Sequence, residues 1–182
     1  MINYDYFYFA NLYNLEQIKE INNIIDSYEP SNSMIDAPAA GKKSKVKILE
    51  NKIFGSLLDM WKNSLVNMNR SYYNFDLYNE FPKYTHINTY HVDDEYPWHR
   101  DSKSYSEKCD IKFTAILNIS TEEYSGGEFE LFLGTGNNQT ITPLNSTGTL
   151  LVFPSFLYHR VTPITHGTRK TMNIWFEGPE FK

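Results

Sequence analysis

The chain has 182 residues, of which 41% are hydrophobic and 16% aromatic, and its formal net charge is −5 at pH 7. This length is typical of a single domain, and the composition is too apolar and aromatic for a disordered protein. The negative charge argues against a surface built for bulk nucleic-acid binding. One cysteine, Cys109, excludes an internal disulfide and favours a reducing compartment.

The sequence has no segment typical of a membrane span or a secretion signal. No apolar run approaches the roughly 18 residues that a spanning helix needs. The first residues lack the basic region that opens a signal peptide. We therefore expect a cytoplasmic protein without a membrane partner, in the host cytoplasm if the source is a virus.

The N-terminal third is predicted to be mainly helical, and the first helix has a clear start. Asn14, with Gln17 three residues later, forms a capping box. Pro30 marks the predicted end of the helix. Apolar residues recur between these points at a spacing of three or four, which predicts one buried face: Leu15, Ile18, Ile21, Ile25 and Tyr28.

A second helix is predicted over residues 47–68, where apolar side chains again recur at helical spacing. Gly55 interrupts this pattern and weakens it. Residues 31–45, between the two helices, are rich in Ser, Pro, Ala, Gly and Lys and have no period. Two interpretations stay open for this segment, a surface loop and a lid over a site.

From about residue 84 the apolar pattern changes to a period of two, which is typical of strands. Turn residues rich in Gly and Asn separate the segments. This alternation favours an antiparallel sandwich or barrel. We predict one domain, 1–182, with helical support over about 1–75 and a β core over about 76–182. The predicted strands cover residues 84–90, 111–119, 129–133, 148–153 and 169–176.

Two His-x-Asp triplets are the strongest chemical signal in the β region. They begin at His91 and at His99. Residues i and i+2 of a strand face the same way, about 7 Å apart, so each triplet directs an imidazole and a carboxylate into one space. A further histidine, such as His159, would complete a two-histidine, one-carboxylate face, which suits Fe(II) and leaves positions open. A single histidine is more often structural, so spacing alone does not choose between the triplets.

The last strand is predicted to have one polar and one apolar face. Arg169, Thr171, Asn173 and Trp175 share the first, and Lys170, Met172, Ile174 and Phe176 share the second. An arginine that opens a buried polar face needs an anionic partner, because its planar fork binds a carboxylate through two parallel hydrogen bonds. The alternative for Arg169 is a solvated strand end.

Taken together, the motifs from about residue 84 to 175 resemble those of Fe(II)- and 2-oxoglutarate-dependent dioxygenases. The resemblance is to the prolyl 4-hydroxylase-like branch found in bacteria and phages. Each motif is common, but their order and spacing are specific. The matching segments are Tyr90, Tyr96-Pro-Trp-His99-Arg-Asp101, Thr114-Ala-Ile-Leu-Asn118, Tyr124-Ser-Gly-Gly-Glu128, Gly148-Thr-Leu-Leu-Val-Phe-Pro154, His159-Arg-Val-Thr-Pro163 and Gly167-Thr-Arg169.

The resemblance implies a mainly β member of the α+β class, with a double-stranded β-helix (jelly-roll) core supported by N-terminal helices. It selects the second triplet, so that His99, Asp101 and His159 are the implied Fe(II) ligands. The distal carboxylate of 2-oxoglutarate would pair with Arg169. Tyr90, at the family's position, and Thr171, which alternates with Arg169, are the candidate hydroxyl partners of this cosubstrate.

Two features depart from the family pattern. Ile116 stands where certain members carry a tyrosine, so some contacts to the cosubstrate are expected to differ. Residues 93–95, Asp-Asp-Glu, replace a glycine that is often found between the two tyrosines. An acidic pocket mouth would favour a cationic or neutral substrate over a polyanion. Residues 31–45 and 102–108 are the candidate substrate-side segments.

The implied reaction is hydroxylation of an unactivated C–H bond, with O₂ consumed and succinate and CO₂ released. Ascorbate is a candidate reductant. The nearest branch points to a prolyl residue in a protein or peptide, and a free amino acid or small metabolite is the alternative. Nucleobase demethylases carry a second arginine six residues after the first, where this chain has Trp175, so nucleic acid is not expected as a partner. A non-enzymatic jelly-roll, either a binding module or a virion component, is the third hypothesis.

Overall fold

The computed structural model describes residues 5–28, 41–101, 109–134, 136 and 138–181. The α-helices within these ranges are α1 (Leu15–Ser27) and α2 (Asp59–Met68). Shorter helical segments are the 3-10 helices Asn51–Leu58 and Thr142–Asn145 and a π-helical turn, Asn69–Tyr73. The strands are β1 (Phe7–Phe9), β2 (Lys45–Glu50), β3 (Tyr84–Tyr90), β4 (Tyr96–His99), β5 (Cys109–Asn118), β6 (Ser125–Gly126), β7 (Phe129–Phe132), β8 (Asn138–Thr140), β9 (Leu150–Pro154), β10 (Tyr158–Val161), β11 (Ile164–His166) and β12 (Arg169–Pro179).

The predicted first helix is confirmed as α1. The Asn14 side chain accepts a hydrogen bond from the Gln17 backbone N–H, and the Gln17 side chain accepts one from the Asn14 N–H, so the capping box is complete. The apolar stripe is buried at Ile18, Ile21 and Ile25. Helix formation and burial therefore follow from the same local pattern. Pro30 and the predicted lid residues 31–40 lie outside the described residues.

The predicted second helix, residues 47–68, is wrong in its first half. Lys45–Glu50 form β2, which pairs antiparallel with β3. Gly55, with φ +52° and ψ −135°, then separates two short helical pieces before α2 begins. The spacing of the apolar residues favours a helix here, whereas the β-branched residues Val46 and Ile48 favour a pleated strand. The inter-strand hydrogen bonds to β3 decide the outcome, and their donors and acceptors lie about 40 residues away along the chain.

The β region forms two main antiparallel sheets. The larger sheet has the strand order β1-β9-β5-β12-β3-β2, and the smaller one has the order β4-β10-β7-β8; β11 and β6 form a two-stranded ribbon. All five predicted strands are present, as β3, β5, β7, β9 and β12, with ends shifted by up to three residues. The protein is therefore mainly β, with few helices, as the sequence predicted.

The larger sheet is covered on both faces. One face packs against α1 and α2 around Trp61 and Phe113, both fully buried. The other face, which includes Ile116 and Phe153, packs against the smaller sheet. Strand β5 is consequently buried along almost its whole length. The space between the two sheets is where the chemically active side chains meet.

No helix in the described ranges is long and apolar enough to cross a membrane.

Candidate active site

Two histidines and one aspartate meet at the edge of the smaller sheet. His99 ends β4 and is the register partner of His159 on β10. Asp101 follows two residues later, where its backbone N–H donates to the Ser155 carbonyl at 3.0 Å. The Asp101 carboxylate oxygens lie 3.8 Å from His99 Nε2 and 3.5 Å from His159 Nε2. The three ligand atoms lie within 4.8 Å of one another, and in the described part of the chain no other His, Cys, Asp or Glu cluster has a geometry that could hold a metal ion.

Both imidazoles are oriented for metal binding by backbone carbonyls. His99 Nδ1 lies 2.8 Å from the Pro97 carbonyl oxygen, and His159 Nδ1 lies 3.1 Å from that of Leu157. A carbonyl only accepts, so each Nδ1 carries the proton and each Nε2 keeps its lone pair. Burial lowers the pKa of His99 to about 4 and also lowers that of His159. Both rings are therefore neutral at pH 7, as metal ligation requires.

The Asp101 carboxylate is held by two donors from the larger sheet. Thr114 Oγ1 and Trp175 Nε1 each donate to Asp101 Oδ2, both at 2.9 Å. Thr114 on β5 and Trp175 on β12 are register partners, so the sheet presents the two donors side by side. These bonds fix the orientation of the carboxylate, and the other oxygen, Oδ1, faces His99.

Arg169 is a buried cation with no anion beside it. Its side chain is only 2% exposed, and it forms no ion pair with any described residue. Its Nε atom is buried without a hydrogen-bond acceptor. The guanidinium lies 5.6 Å from the ring centroid of its register partner, Tyr90. Burial of an unpaired charge is costly, so this position is suited to an anionic ligand.

One cavity of about 1100 Å³ joins the triad to Arg169. The cavity is lined by all six residues that the sequence singled out, namely His99, Asp101, His159, Arg169, Tyr90 and Thr171. Burial raises the pKa of Tyr90 to about 12, so its hydroxyl stays protonated. The predicted faces of β12 are confirmed up to Trp175, because Asn173 and Trp175 also line this cavity while Met172 and Ile174 join the core under the helices. Phe176, predicted on the apolar face, also lines the cavity, next to a register shift of the strand.

Sequence reasoning missed three residues of the site. His86 lines the cavity, and its ring packs edge-on against Trp175 at 4.6 Å between centroids. Its alternation with Tyr90 on β3 is a signal that would have placed it there. Thr114 lies on a strand that is buried on both faces, so its alternation with Ile116 does not show which face meets the site. Lys42 lies in a segment without a periodic pattern. Neither residue could therefore be assigned to the site from the local sequence.

The first triplet does not take part in the site. His91 and Asp93 are exposed and do not line the cavity. Asp94 accepts a hydrogen bond from the His91 backbone N–H, and Glu95 pairs with Lys43 at 2.9 Å. The acidic residues 93–95 therefore do not line the cavity, and two of these carboxylates are used in local contacts. The substrate-side segment 102–108 lies outside the described residues.

A family comparison agrees with this site. The sequence model of the 2OG-Fe(II) oxygenase superfamily matches residues 85–177. The chain belongs to this superfamily. It is also similar to a PKHD-type hydroxylase from Teredinibacter turnerae, with 34% identity over 97 residues that cover 50% of this chain. The matched region spans 41% of the length of that relative.

Solved structures share the fold at low sequence identity. A prolyl-4-hydroxylase from Pseudomonas putida superposes with a TM-score of 0.71 and 16% identity, covering 97% of this chain and 94% of the other. A prolyl hydroxylase from Trichoplax adhaerens, in complex with a hypoxia inducible factor oxygen degradation domain peptide fragment, superposes with a TM-score of 0.69 and 17% identity, covering 94% and 83%. At such identities the likeness concerns the fold.

The buried histidines should make the metal-free protein less stable in acid. Burial lowers the pKa values of His86 and His99 from 6.5 to about 4. Between these pH values the unfolded chain binds more protons than the folded one, so the free energy of unfolding is greatest above pH 6.5 and decreases as the pH falls towards 4. Urea unfolding at a series of pH values measures this decrease.

His86→Gln tests this contribution most directly, because it removes the one of these histidines that lies outside the triad. In this variant, the free energy of unfolding should decrease less between pH 6.5 and pH 4 than it does in the wild type. His166→Gln, which replaces an exposed histidine on β11, is the matched control and should leave the decrease unchanged. An identical pH dependence in wild type and His86→Gln would contradict the assignment of a buried neutral imidazole.

Proposed function

We propose that the protein is an Fe(II)- and 2-oxoglutarate-dependent dioxygenase that hydroxylates an unactivated C–H bond, of a prolyl residue in a protein or peptide. The observation that carries this proposal is the presence, in one cavity, of a His-Asp-His cluster and a buried arginine without an anion. We further propose that residues 1–182 form one domain and that the two facing sheets are a double-stranded β-helix.

The residues present fit the proposed cofactor and cosubstrate. Two neutral imidazoles and one carboxylate are the donor set that suits Fe(II) and leaves coordination positions open. In this proposal His99, Asp101 and His159 hold the metal. Arg169 binds the distal carboxylate of 2-oxoglutarate, because its buried Nε has no acceptor in the protein. Tyr90 and Thr171 line the same cavity and provide hydroxyl groups for the cosubstrate.

When bound, the ferrous ion and 2-oxoglutarate supply the oxidising power that transfers one atom of O₂ to the substrate, with succinate and CO₂ as co-products. The protein contributes orientation and exclusion of water. Thr114 and Trp175 keep the Asp101 carboxylate in a fixed position. Ile116, Phe129 and Val161 provide apolar walls that keep the cavity dry around the reacting C–H bond.

Two observations support a peptide substrate. The cavity is also lined by residues 78–84, where Tyr78 and Tyr84 are nearly half exposed. Proline-rich segments dock in grooves lined by aromatic residues, because their extended conformation is already formed. The PKHD-type relative is named a hydroxylase, and a structural neighbour holds a peptide fragment. We therefore place a peptide ahead of a free amino acid or small metabolite.

Arg169→Ala should weaken 2-oxoglutarate binding far more than metal binding, since the guanidinium contacts the cosubstrate and none of the triad. A loss of 100-fold or more in 2-oxoglutarate affinity is about the cost of a charge-assisted bidentate pair. Calorimetric titrations of Mn(II) and then of 2-oxoglutarate give both affinities. His159→Ala is the complementary variant and should abolish metal binding and turnover while the circular dichroism spectrum is retained. Equal losses of both affinities in Arg169→Ala would contradict the proposed carboxylate site.

Incubation with Fe(II), 2-oxoglutarate, O₂ and a set of proline-rich peptides tests the proposed substrate. A mass increase of one oxygen atom on a proline, with an equal amount of succinate, is the expected result. The His159→Ala protein is the control for oxidation by free iron. Succinate formation with free proline but with no peptide would favour the small-molecule alternative. No succinate under any of these conditions would contradict the proposed function and favour a non-enzymatic module.

A further inference from the structure

Lys42 is a second, partly buried cation that lines the cavity, and it has no role in the site described above. The backbone beside it is fixed, because the Lys43 N–H donates to the Glu95 carbonyl at 2.9 Å and the Lys43 ammonium pairs with the Glu95 carboxylate at 2.9 Å. Lys43 thus faces solvent, while Lys42 lines the cavity. Its Nζ lies 5.1 Å from the centroid of the Tyr96 ring, which in turn stacks on His99 at 3.5 Å between centroids.

The Lys42 ammonium is only partly satisfied by the protein. It donates to Asn88 Oδ1, and no carboxylate among the described residues forms an ion pair with it. An ammonium has three N–H donors, so two remain for a ligand. Burial lowers the pKa of Lys42 to about 8, and the side chain is still mostly charged at pH 7. A cation that is partly withdrawn from water and only half satisfied is costly unless an anion binds beside it.

A charge count shows that this anion is not the cosubstrate. In the proposed site a ferrous ion and the Arg169 guanidinium carry three positive charges. The Asp101 carboxylate and the two carboxylates of 2-oxoglutarate carry three negative charges, so the loaded centre is neutral. Lys42 adds one positive charge, and no carboxylate of the described residues lies within ion-pair distance of its ammonium. In a cavity of low dielectric constant, this excess favours one more anionic group.

The residues around Lys42 are polar and line the same cavity. His86 lies close enough to Lys42 for the ammonium to help hold down its pKa, and no described side chain hydrogen-bonds to its ring. Asn173, the register partner of His86, has a buried Oδ1 atom without a donor. This part of the cavity therefore combines one cation with two further unsatisfied polar groups, whereas the walls around Phe129 are apolar.

We infer that Lys42 binds a carboxylate of the primary substrate and so makes the enzyme select an anionic substrate. This inference rests on the proposed function and adds the substrate class to it. Lys42 is thus a specificity-determining residue. The anionic preference inferred here is the opposite of the cationic or neutral preference that the acidic residues 93–95 suggested. The bound carboxylate has two possible sources, a free C-terminal carboxylate next to the target residue and an acidic side chain beside it in a longer peptide.

Matched pairs of acid and amide probes test the inference without turnover. The first pair is N-acetyl-L-proline and N-acetyl-L-prolinamide, and the second is the N-acetylated, C-amidated dipeptides Pro-Asp and Pro-Asn. Calorimetric titration of each probe into the protein with Mn(II) and 2-oxoglutarate gives its affinity. We expect the acid of at least one pair to bind about tenfold or more tightly than its neutral partner, as a charge-assisted hydrogen bond provides. The pair that shows this preference identifies the source of the carboxylate.

Variants of Lys42 assign the preference to this side chain. Lys42→Met should reduce the ratio of acid to neutral affinity to about one, and Lys42→Arg should retain it. Lys43→Met is the matched control, because it removes the exposed neighbouring ammonium, and it should leave the ratio unchanged. Lys42→Gln, which keeps a donor to Asn88, gives the same test if the Met variant is destabilised.

Three results would overturn the inference. The first is equal binding of the acid and neutral probes of both pairs by the wild type. The second is a preference for the acid that survives in Lys42→Met. The third is a loss of 2-oxoglutarate affinity in Lys42→Met as large as that in Arg169→Ala. Failure of the proposed function has a different signature, which is the absence of succinate with Fe(II) and every candidate substrate. The binding ratio is measured independently of succinate formation, so the two failures are distinguishable.

Discussion

One carboxylate, that of Asp101, connects the two sheets at the point where the site forms. From the smaller sheet, the pairing of β4 with β10 places His99 opposite His159, and both Nε2 atoms face Asp101. From the larger sheet, the pairing of β5 with β12 places Thr114 opposite Trp175, and both donate to the same Asp101 oxygen. The position of the carboxylate therefore depends on the register of two separate strand pairs, and a shift of either by one residue would remove its partners.

The buried Arg169 imposes the second constraint, because a large cation must be accommodated between the sheets. Gly127 provides the space: its φ is +65°, and a Cβ there would lie 2.3 Å from Ile164 Cδ1 and 3.0 Å from Arg169 Cδ. Any side chain at this position would displace the arginine or the core beside it. Gly127 is thus explained by packing around Arg169, whereas a Cβ at Gly126 would lie 2.3 Å from the Pro163 carbonyl oxygen.

Local patterns predicted a large part of this structure. The capping box and apolar stripe of α1 and the two faces of β12 up to Trp175 follow from short-range periodicity, and the fold confirms them. The helix predicted over 47–68 failed where β2 is stabilised by pairing with β3, which a local pattern does not contain. Thr114 and Lys42 escaped for the same reason, since each reaches the site through contacts between distant segments, whereas the alternation of His86 with Tyr90 on β3 is a local signal. The resemblance of motif order and spacing supplied what periodicity did not, namely the choice of His99 over His91.

The most direct test of this account is a crystal structure of the protein with Mn(II) and 2-oxoglutarate, with anomalous scattering recorded at the manganese edge. The account predicts one anomalous peak about 2.0–2.3 Å from His99 Nε2, His159 Nε2 and one Asp101 oxygen, with 2-oxoglutarate density reaching Arg169. A peak bound elsewhere, or cosubstrate density that leaves the Arg169 guanidinium without a carboxylate, would contradict it.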